Sequence, residues 1–220
     1  MTAPSTRAGR VLLATRNAKK LTELRRILGP QVTVLGLADV TEFAEEPETG
    51  ATFAENAVAK AVQAARETGE ISLADDSGLA VDALNGMPGV LSARWAGRHG
   101  EDRANNALLL AQLGDVPDER RGAEFVCALA LAVPGFDPVV EHGVWRGRIA
   151  REPLGDNGFG YDPLFVPAES EVATATAAAA ATARSSAQLA PAEKDALSHR
   201  GRAIAQLLPT LRRALGVPQA

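Results

Sequence analysis

One cysteine, Cys127, is all the sequence holds, so no internal disulfide can form and a reducing, cytoplasmic location is the expectation. No stretch approaches the ~20 apolar residues that a membrane-spanning helix needs. Residues 1–10, MTAPSTRAGR, lack the apolar core of a secretory signal and read as a flexible leader. Charge of one sign is also scarce. The 27 acidic and 23 basic residues leave a net charge of −4, which offers no overall attraction to nucleic acid or to an anionic membrane, and neither is expected as a partner. Aromatic residues make up only 4%, so any that sit among glycines stand out.

What is present is an ordinary globular composition, 46% hydrophobic and 23% charged over 220 residues. It excludes a collagen-like, largely disordered or disulfide-stapled chain. A chain of this length buries enough surface to be stable without structural metal, and residues 11–216 read as a single domain.

The pattern is strand, tight turn, helix. Val11 to Thr15 is a short apolar run, Asn17 a candidate N-cap, and Leu21, Leu24 and Leu28 repeat at helical spacing until Gly29-Pro30. Gln31 to Leu37 reads as a second strand, followed by an acidic loop with Glu45, Glu46, Glu48 and Gly50. Thr52 with Glu55 fits a capping box, and Ala54, Ala57, Val58, Ala61, Val62 and Ala65 form a stripe of small residues suited to packing on a sheet. Ile71 to Ala74 reads as a short strand ending at Asp75. Asn85 to Gly97 is rich in turn residues, and Arg103 to Leu113 has helical spacing. Phe125 to Val133 and Val139 to Val144 read as a hairpin, which adds an antiparallel component. Residues 168–190 form a low-complexity insertion rich in alanine and threonine, and over 173–183 a helix, a loop and disorder compete. Ala192 to Leu197 and Gly201 to Leu215 read as helices.

Four clusters carry chemistry. Thr15, Arg16, Asn17, Ala18, Lys19 and Lys20 lie at a helix start, where free N–H groups and lysines can cradle phosphate. Solvated surface charges are the other reading, although the helix macrodipole disfavours cations there. Asp75 and Asp76 adjoin at a strand end, and with the acidic loop they suit Mg²⁺, which takes oxygen ligands and keeps waters for substrate phosphates. A turn capped by one of them fits the same spacing. Gly158-Phe159-Gly160-Tyr161-Asp162-Pro163 places two aromatics among glycines, as a stacking surface for a flat ligand or as a turn packed on the core. Lys194 with Ser198-His199-Arg200 brings donors to a helix junction, free to read a base or phosphate or to remain solvated. His99 and His142 have no evident partners in the sequence.

In order, TRNAKK, PETGATFAENA, ADDSGLAVDALNGMPGVLSARWAG, GFGYDP and EKDALSHR closely resemble the inosine triphosphate pyrophosphatase family, whose bacterial members are XTP/dITP diphosphatases. The resemblance spans about Val11 to Leu215. It implies an α/β fold with a central mixed sheet flanked by helices, in two lobes around a nucleotide-binding cleft. It also implies a Mg²⁺-dependent homodimer that hydrolyses XTP, ITP and dITP to the monophosphate and pyrophosphate, clearing deaminated purines from the nucleotide pool. By motif position, Thr15 to Lys20 bind the triphosphate, Glu48 and Asp76 hold metal, and Ser77 contacts substrate. Asp76 is the proposed base, with Asp75 its alternative, and Lys20 stabilises charge on the leaving group. Phe159, Gly160, Tyr161, Asp162, Lys194, His199 and Arg200 fall at nucleoside-binding positions, and Lys60 and Arg94 at further basic ones. The chain departs from the family pattern at Arg16, where many members have glycine. It also has Pro47 before Glu48, which leaves Glu45 and Glu46 as substitutes, and Gln188 where glutamate is common.

Overall fold

The computed structural model describes residues 9–172 and 183–217. Its strands are β1 (Arg10–Leu13), β2 (Thr33–Leu35), β3 (Ser72–Val81), β4 (Gly122–Ala132), β5 (Val139–Ile149) and β6 (Phe165–Pro167). They form one sheet in the order β2-β1-β3-β4-β5-β6. β1 is parallel to β2 and to β3, whereas β5 and β6 are antiparallel, so the sheet is mixed, as the sequence leads one to expect. The flanking helices are α1 (Ala18–Leu28), α2 (Phe53–Thr68), α3 (Asp102–Gln112), α4 (Ala168–Val172), α5 (Pro191–Leu197) and α6 (His199–Leu215). Among the described residues no helix is long and apolar enough to cross a membrane.

The chain divides into two compact units, neither of them a continuous segment. The first comprises Met1–Asp76, Cys127–Gly143 and Arg200–Ala220. Here α1 buries Leu24 and Leu28 with Val11, Leu13 and Leu73, together with Ile204, Leu207, Leu211 and Leu215 of α6. α2 begins at Thr52, whose hydroxyl accepts from Glu55 N at 3.1 Å. The Glu55 carboxylate reaches Ala51 N at 2.7 Å, so the expected capping box is only half formed. The stripe of small residues does face inward: Ala57, Ala61, Ala64 and Ala65 cluster with Leu12, Ala74, Ala128, Ala130 and Ala132. Val62, counted in that stripe from the sequence, is exposed instead. Gly69 ends α2 in the left-handed region.

The second unit comprises Ser77–Val126 and Val144–His199. Its core gathers Leu79, Val81, Leu109, Leu113, Trp145 and Leu164 around the rings of Phe125 and Phe165, whose centroids are 4.7 Å apart. Arg121 is buried here without a carboxylate. Its guanidinium donates instead to the carbonyl oxygens of Leu113, Ile149 and Ala150, which ties the end of α3 to the end of β5.

Three local expectations need correction. β3 does not stop at Asp75 but runs on to Val81, because side-chain cations and an amide engage the two carboxylates and leave the backbone free to continue the sheet. The second strand is shorter than Gln31 to Leu37: a single-turn helix at Leu37–Asp39 replaces its end, with the Asp39 carboxylate accepting from Gly36 N at 2.8 Å. β5 is longer than its sequence signal and extends to Ile149. The leader up to residue 8 and most of the alanine-threonine tract, residues 173–182, lie outside the described residues.

Candidate active site

In the first unit, α1 starts where β1 ends, and Asn17 caps it. The Asn17 side-chain oxygen accepts from Lys19 N at 3.0 Å and from Lys20 N at 3.2 Å. Two of the N–H groups expected to stand free for phosphate are therefore already held. Thr15 Oγ1 accepts from Asn17 N at 3.2 Å and shapes the turn. Arg16 is exposed and pairs with Glu45 of the acidic loop, and Lys19 is exposed as well. Lys20 turns inward, its ammonium 2.9 Å from Asp75 Oδ2.

Asp75 is 2% exposed and also receives Arg200 Nε at 3.3 Å. The Arg200 guanidinium, equally buried, pairs in turn with Glu23 of α1. Glu23, Arg200, Asp75 and Lys20 thus form one buried chain of alternating charge. Burial alone works against the Asp75 charge, but Lys20, Arg200 and Lys60 outweigh it and hold the carboxyl well below the ordinary aspartate range. Arg200, expected to meet a purine or a phosphate, is committed to two carboxylates.

The next residue behaves differently, because neighbouring strand residues point to opposite faces. Asp76 Oδ2 accepts from Asn56 Nδ2 at 2.9 Å, and its Oδ1 lies 3.7 Å from Lys60 Nζ. Burial lifts the Asp76 carboxyl above its ordinary value, with Lys60 and Asn56 pulling the other way. Lys60 Nζ also donates to Glu48 Oε1 and to the Asp75 carbonyl, each at 2.8 Å. Its half-buried ammonium is penalised by desolvation, yet Asp76, Asp75 and Glu48 more than offset that cost and raise its pKa. Glu48 and Asp76 therefore converge on one positive charge. Glu45 and Glu46 do not join them, since Glu45 pairs with Arg16 and Glu46 with Arg66. Gln63 clamps the acidic loop onto α2, accepting from Glu46 N at 3.1 Å and donating to Ala44 O at 2.8 Å.

These residues suit Mg²⁺. The donors are hard carboxylate oxygens, they already face a single cation, and Mg²⁺ is commonly held by one or two carboxylates with substrate phosphates and water completing its shell. Among the described residues no cluster of three or more His, Cys, Asp or Glu is arranged around a common point.

The second unit holds the glycine-aromatic turn. Asp162 is buried; its Oδ2 accepts from Lys194 Nζ at 2.6 Å and Phe159 N at 2.8 Å, and its Oδ1 accepts from Ser186 Oγ at 2.8 Å. A Cβ on Gly158 would lie 2.0 Å from Asp162 Oδ2 at a φ of +80°, so both space and backbone require glycine there. Gly160 N donates to Asp102 Oδ2 at 2.8 Å, and Asn106 of α3 donates to the Gly160 carbonyl at 3.0 Å. The half-buried Phe159 ring carries the Lys194 ammonium 5.1 Å from its centroid. Tyr161 is no stacking surface. It belongs to the core, its hydroxyl donates to Ser92 O at 2.9 Å, and burial pushes its phenol up. His199 is buried and lies parallel to Phe125 at 4.9 Å. Ser77, which follows Asp76 in β3, is half-buried.

The structure therefore gathers Lys20, Asp75, Arg200, Asp76, Glu48 and Lys60 in the first unit, and Phe159, Gly160, Asp162 and Lys194 in the second. Sequence reasoning gave no part to Glu23, Asn56 or Gln63. Asn56 and Glu23 sit inside or beside quoted motifs, and a polar residue on the inward side of an apolar helix was the available signal for all three.

A mixed α/β sheet, a capped helix start bearing lysines and a lysine-bridged pair of carboxylates define a class of protein built for phosphate chemistry. The chain belongs to the Ham1 family, whose model matches residues 11–210. It is 62% identical over 206 residues to a dITP/XTP pyrophosphatase of Nocardia farcinica, covering 92% of this chain and 94% of that protein. It is 60% identical over 207 residues to one of Mycobacterium tuberculosis strain H37Rv, covering 92% and 95%. Among solved structures, the Staphylococcus aureus Ham1 protein matches with a TM-score of 0.78 at 36% identity over 93% of this chain and 98% of its own. A nucleoside-triphosphatase / dITP/XTP pyrophosphatase from Mycobacterium abscessus matches with a TM-score of 0.71 at 58% identity, covering 91% and 99%. These similarities bear out the resemblance and the α/β fold read from the sequence.

Proposed function

We propose that this chain, acting through residues 11–216 as one domain, hydrolyses deaminated purine nucleoside triphosphates (XTP, ITP and dITP) to the monophosphate and pyrophosphate. In this reading it works in the cytoplasm as a Mg²⁺-dependent homodimer that clears such nucleotides from the pool. The observation that carries the reading is the convergence of Glu48 and Asp76 on one cation position, one residue along the strand from a carboxylate paired with Lys20 and Arg200. The names of the relatives support the same chemistry.

Glu48 and Asp76 would hold the metal. Mg²⁺ bound there polarises a phosphoryl oxygen and makes attack by water easier. Pyrophosphate leaves only if water attacks the α-phosphorus, so cations must neutralise the departing β- and γ-phosphates. Lys20 and Lys60 are assigned that task, a preorganised electrostatic contribution of the kind that usually dominates. Of the two aspartates, Asp75 is committed to Lys20 and Arg200, which leaves Asp76 the more available to accept a proton. Asp75 then serves to fix Lys20 and Arg200. Thr15 to Lys20 are assigned to the triphosphate and Ser77 to an adjacent substrate contact. Phe159, Gly160, Asp162 and Lys194 are assigned to the nucleoside, with Tyr161 and His199 supporting them from the core.

The test is product analysis with dITP, XTP, GTP and dATP, with and without Mg²⁺, scoring pyrophosphate apart from orthophosphate. Pyrophosphate from dITP and XTP, only with Mg²⁺, is the expected result. Orthophosphate, or equal rates on all four nucleotides, overturns it.

A further inference from the structure

We propose that Asn56 is a positioning residue that holds the Asp76 carboxylate and the Glu48-bearing loop in one geometry for a divalent cation; the proposal rests on the metal-dependent reading above. Asn56 lies in the first turn of α2 and is only 3% exposed. Its backbone N–H is bonded to Thr52 O at 3.2 Å, so the residue is anchored to the capped helix start. Both ends of its side-chain amide are used. Nδ2 donates to Asp76 Oδ2 at 2.9 Å, and Oδ1 accepts from Gly50 N at 2.8 Å. A carboxylate only accepts and a backbone N–H only donates, so the orientation of the amide is fixed by its neighbours.

The geometry has two consequences for a cation. With Oδ2 engaged by Asn56, Asp76 turns Oδ1 towards Lys60 Nζ, the same nitrogen that donates to Glu48 Oε1. Gly50 lies two residues beyond Glu48, so the same amide sets the height of the loop that carries the second carboxylate. A Cβ on Gly50 would stand 2.6 Å from Asn56 Oδ1 and 2.8 Å from Glu55 Cβ, which only glycine avoids. Asparagine is suited to the task because it offers donor and acceptor together without charge. Aspartate would lose the donor and repel Asp76, and alanine would release both partners. Side chains that orient metal ligands typically contribute about 10- to 100-fold to metal affinity or activity.

The experiment measures Mn²⁺ binding to nucleotide-free protein by electron paramagnetic resonance and, separately, the Mg²⁺ concentration that half-saturates pyrophosphate release from dITP. Asn56→Ala, Asn56→Asp and Gly50→Ala are compared with Gln63→Ala, which loosens the same loop through Ala44 and Glu46 without touching Asp76. The expected result is weaker Mn²⁺ binding and a higher Mg²⁺ requirement by about 10- to 100-fold in both Asn56 variants, with KM for dITP at saturating Mg²⁺ moving less than about threefold. Gly50→Ala shifts the same way, because its Cβ crowds Asn56 Oδ1 and displaces the loop. Gln63→Ala lowers the melting temperature but keeps the wild-type Mn²⁺ affinity. Unchanged Mn²⁺ affinity in the Asn56 variants, an equal loss in Gln63→Ala, or no Mn²⁺ binding by the wild type overturns the proposal. A wild type that binds Mn²⁺ yet releases no pyrophosphate from dITP overturns the functional reading instead, and the Mn²⁺ comparison still decides the role of Asn56.

Discussion

Asp75 and Asp76 are chemically identical and adjacent, yet the fold treats their charges in opposite ways. Folding favours the Asp75 charge, since its carboxyl is held below the ordinary value of 3.8. Its contribution to stability is therefore complete above that value and is lost as the pH falls below about 4. Asp75→Asn leaves buried cations short of a partner and should cost about 3–5 kcal/mol in urea unfolding at pH 7, with a flatter loss of stability below pH 4 than the wild type. Asp76 is the reverse case: burial raises its carboxyl, so the ionised form is disfavoured by the fold. In EDTA, Asp76→Asn should unfold at the same or a higher urea concentration than the wild type while releasing no pyrophosphate from dITP with Mg²⁺ restored. A less stable Asp76→Asn, or an active one, contradicts this assignment. The adjacent carboxylates at a strand end were legible in the sequence. Which one is spent was not, because the deciding Arg200 lies 125 residues away along the chain.

At the scale of elements, helix starts were the most legible feature because they depend on neighbours a few residues apart. Asn17 and Thr52 were read as caps, and both side chains accept the N–H groups that a cap should. α1 has no acidic residue in its first turn, so Asn17 alone answers the positive end of the helix there. Asn17→Ala should lower global stability by about 1 kcal/mol, read from thermal melts without nucleotide. An unchanged melting temperature would show that the cap contributes nothing. β3 was the least legible element. Asp75, Asp76, Ser77 and Gly78 are residues of turns by local preference, and the strand continues through them because side chains from α1, α2 and α6 engage the two carboxylates. The glycine-aromatic turn was found by composition, but the division of its rings was not. Tyr161 went to the core through a hydrogen bond to Ser92, 69 residues earlier in the chain.

Over the whole molecule, a net charge of −4 and a mixed sheet with apolar clusters in both units agree with the class read from composition. Sedimentation should give about twice the 22.9 kDa chain mass if the proposed homodimer forms, and a monomer at micromolar concentration would remove it. The path of the chain was not legible, because the first unit is assembled from three separated segments and nothing local marks where each one joins. That path sets an order of events during synthesis. Lys20, Glu23 and Asp75 leave the ribosome well before Arg200 and the α6 residues Ile204, Leu207, Leu211 and Leu215. At ordinary elongation rates the arginine follows Asp75 by roughly 6 to 25 s. For that interval the nascent chain carries Asp75 with Lys20 and Lys60 made but Arg200 still to come, and α6 closes the charge network. The unit that bears Glu48 and Asp76 therefore cannot complete its buried charge network until α6 has been made.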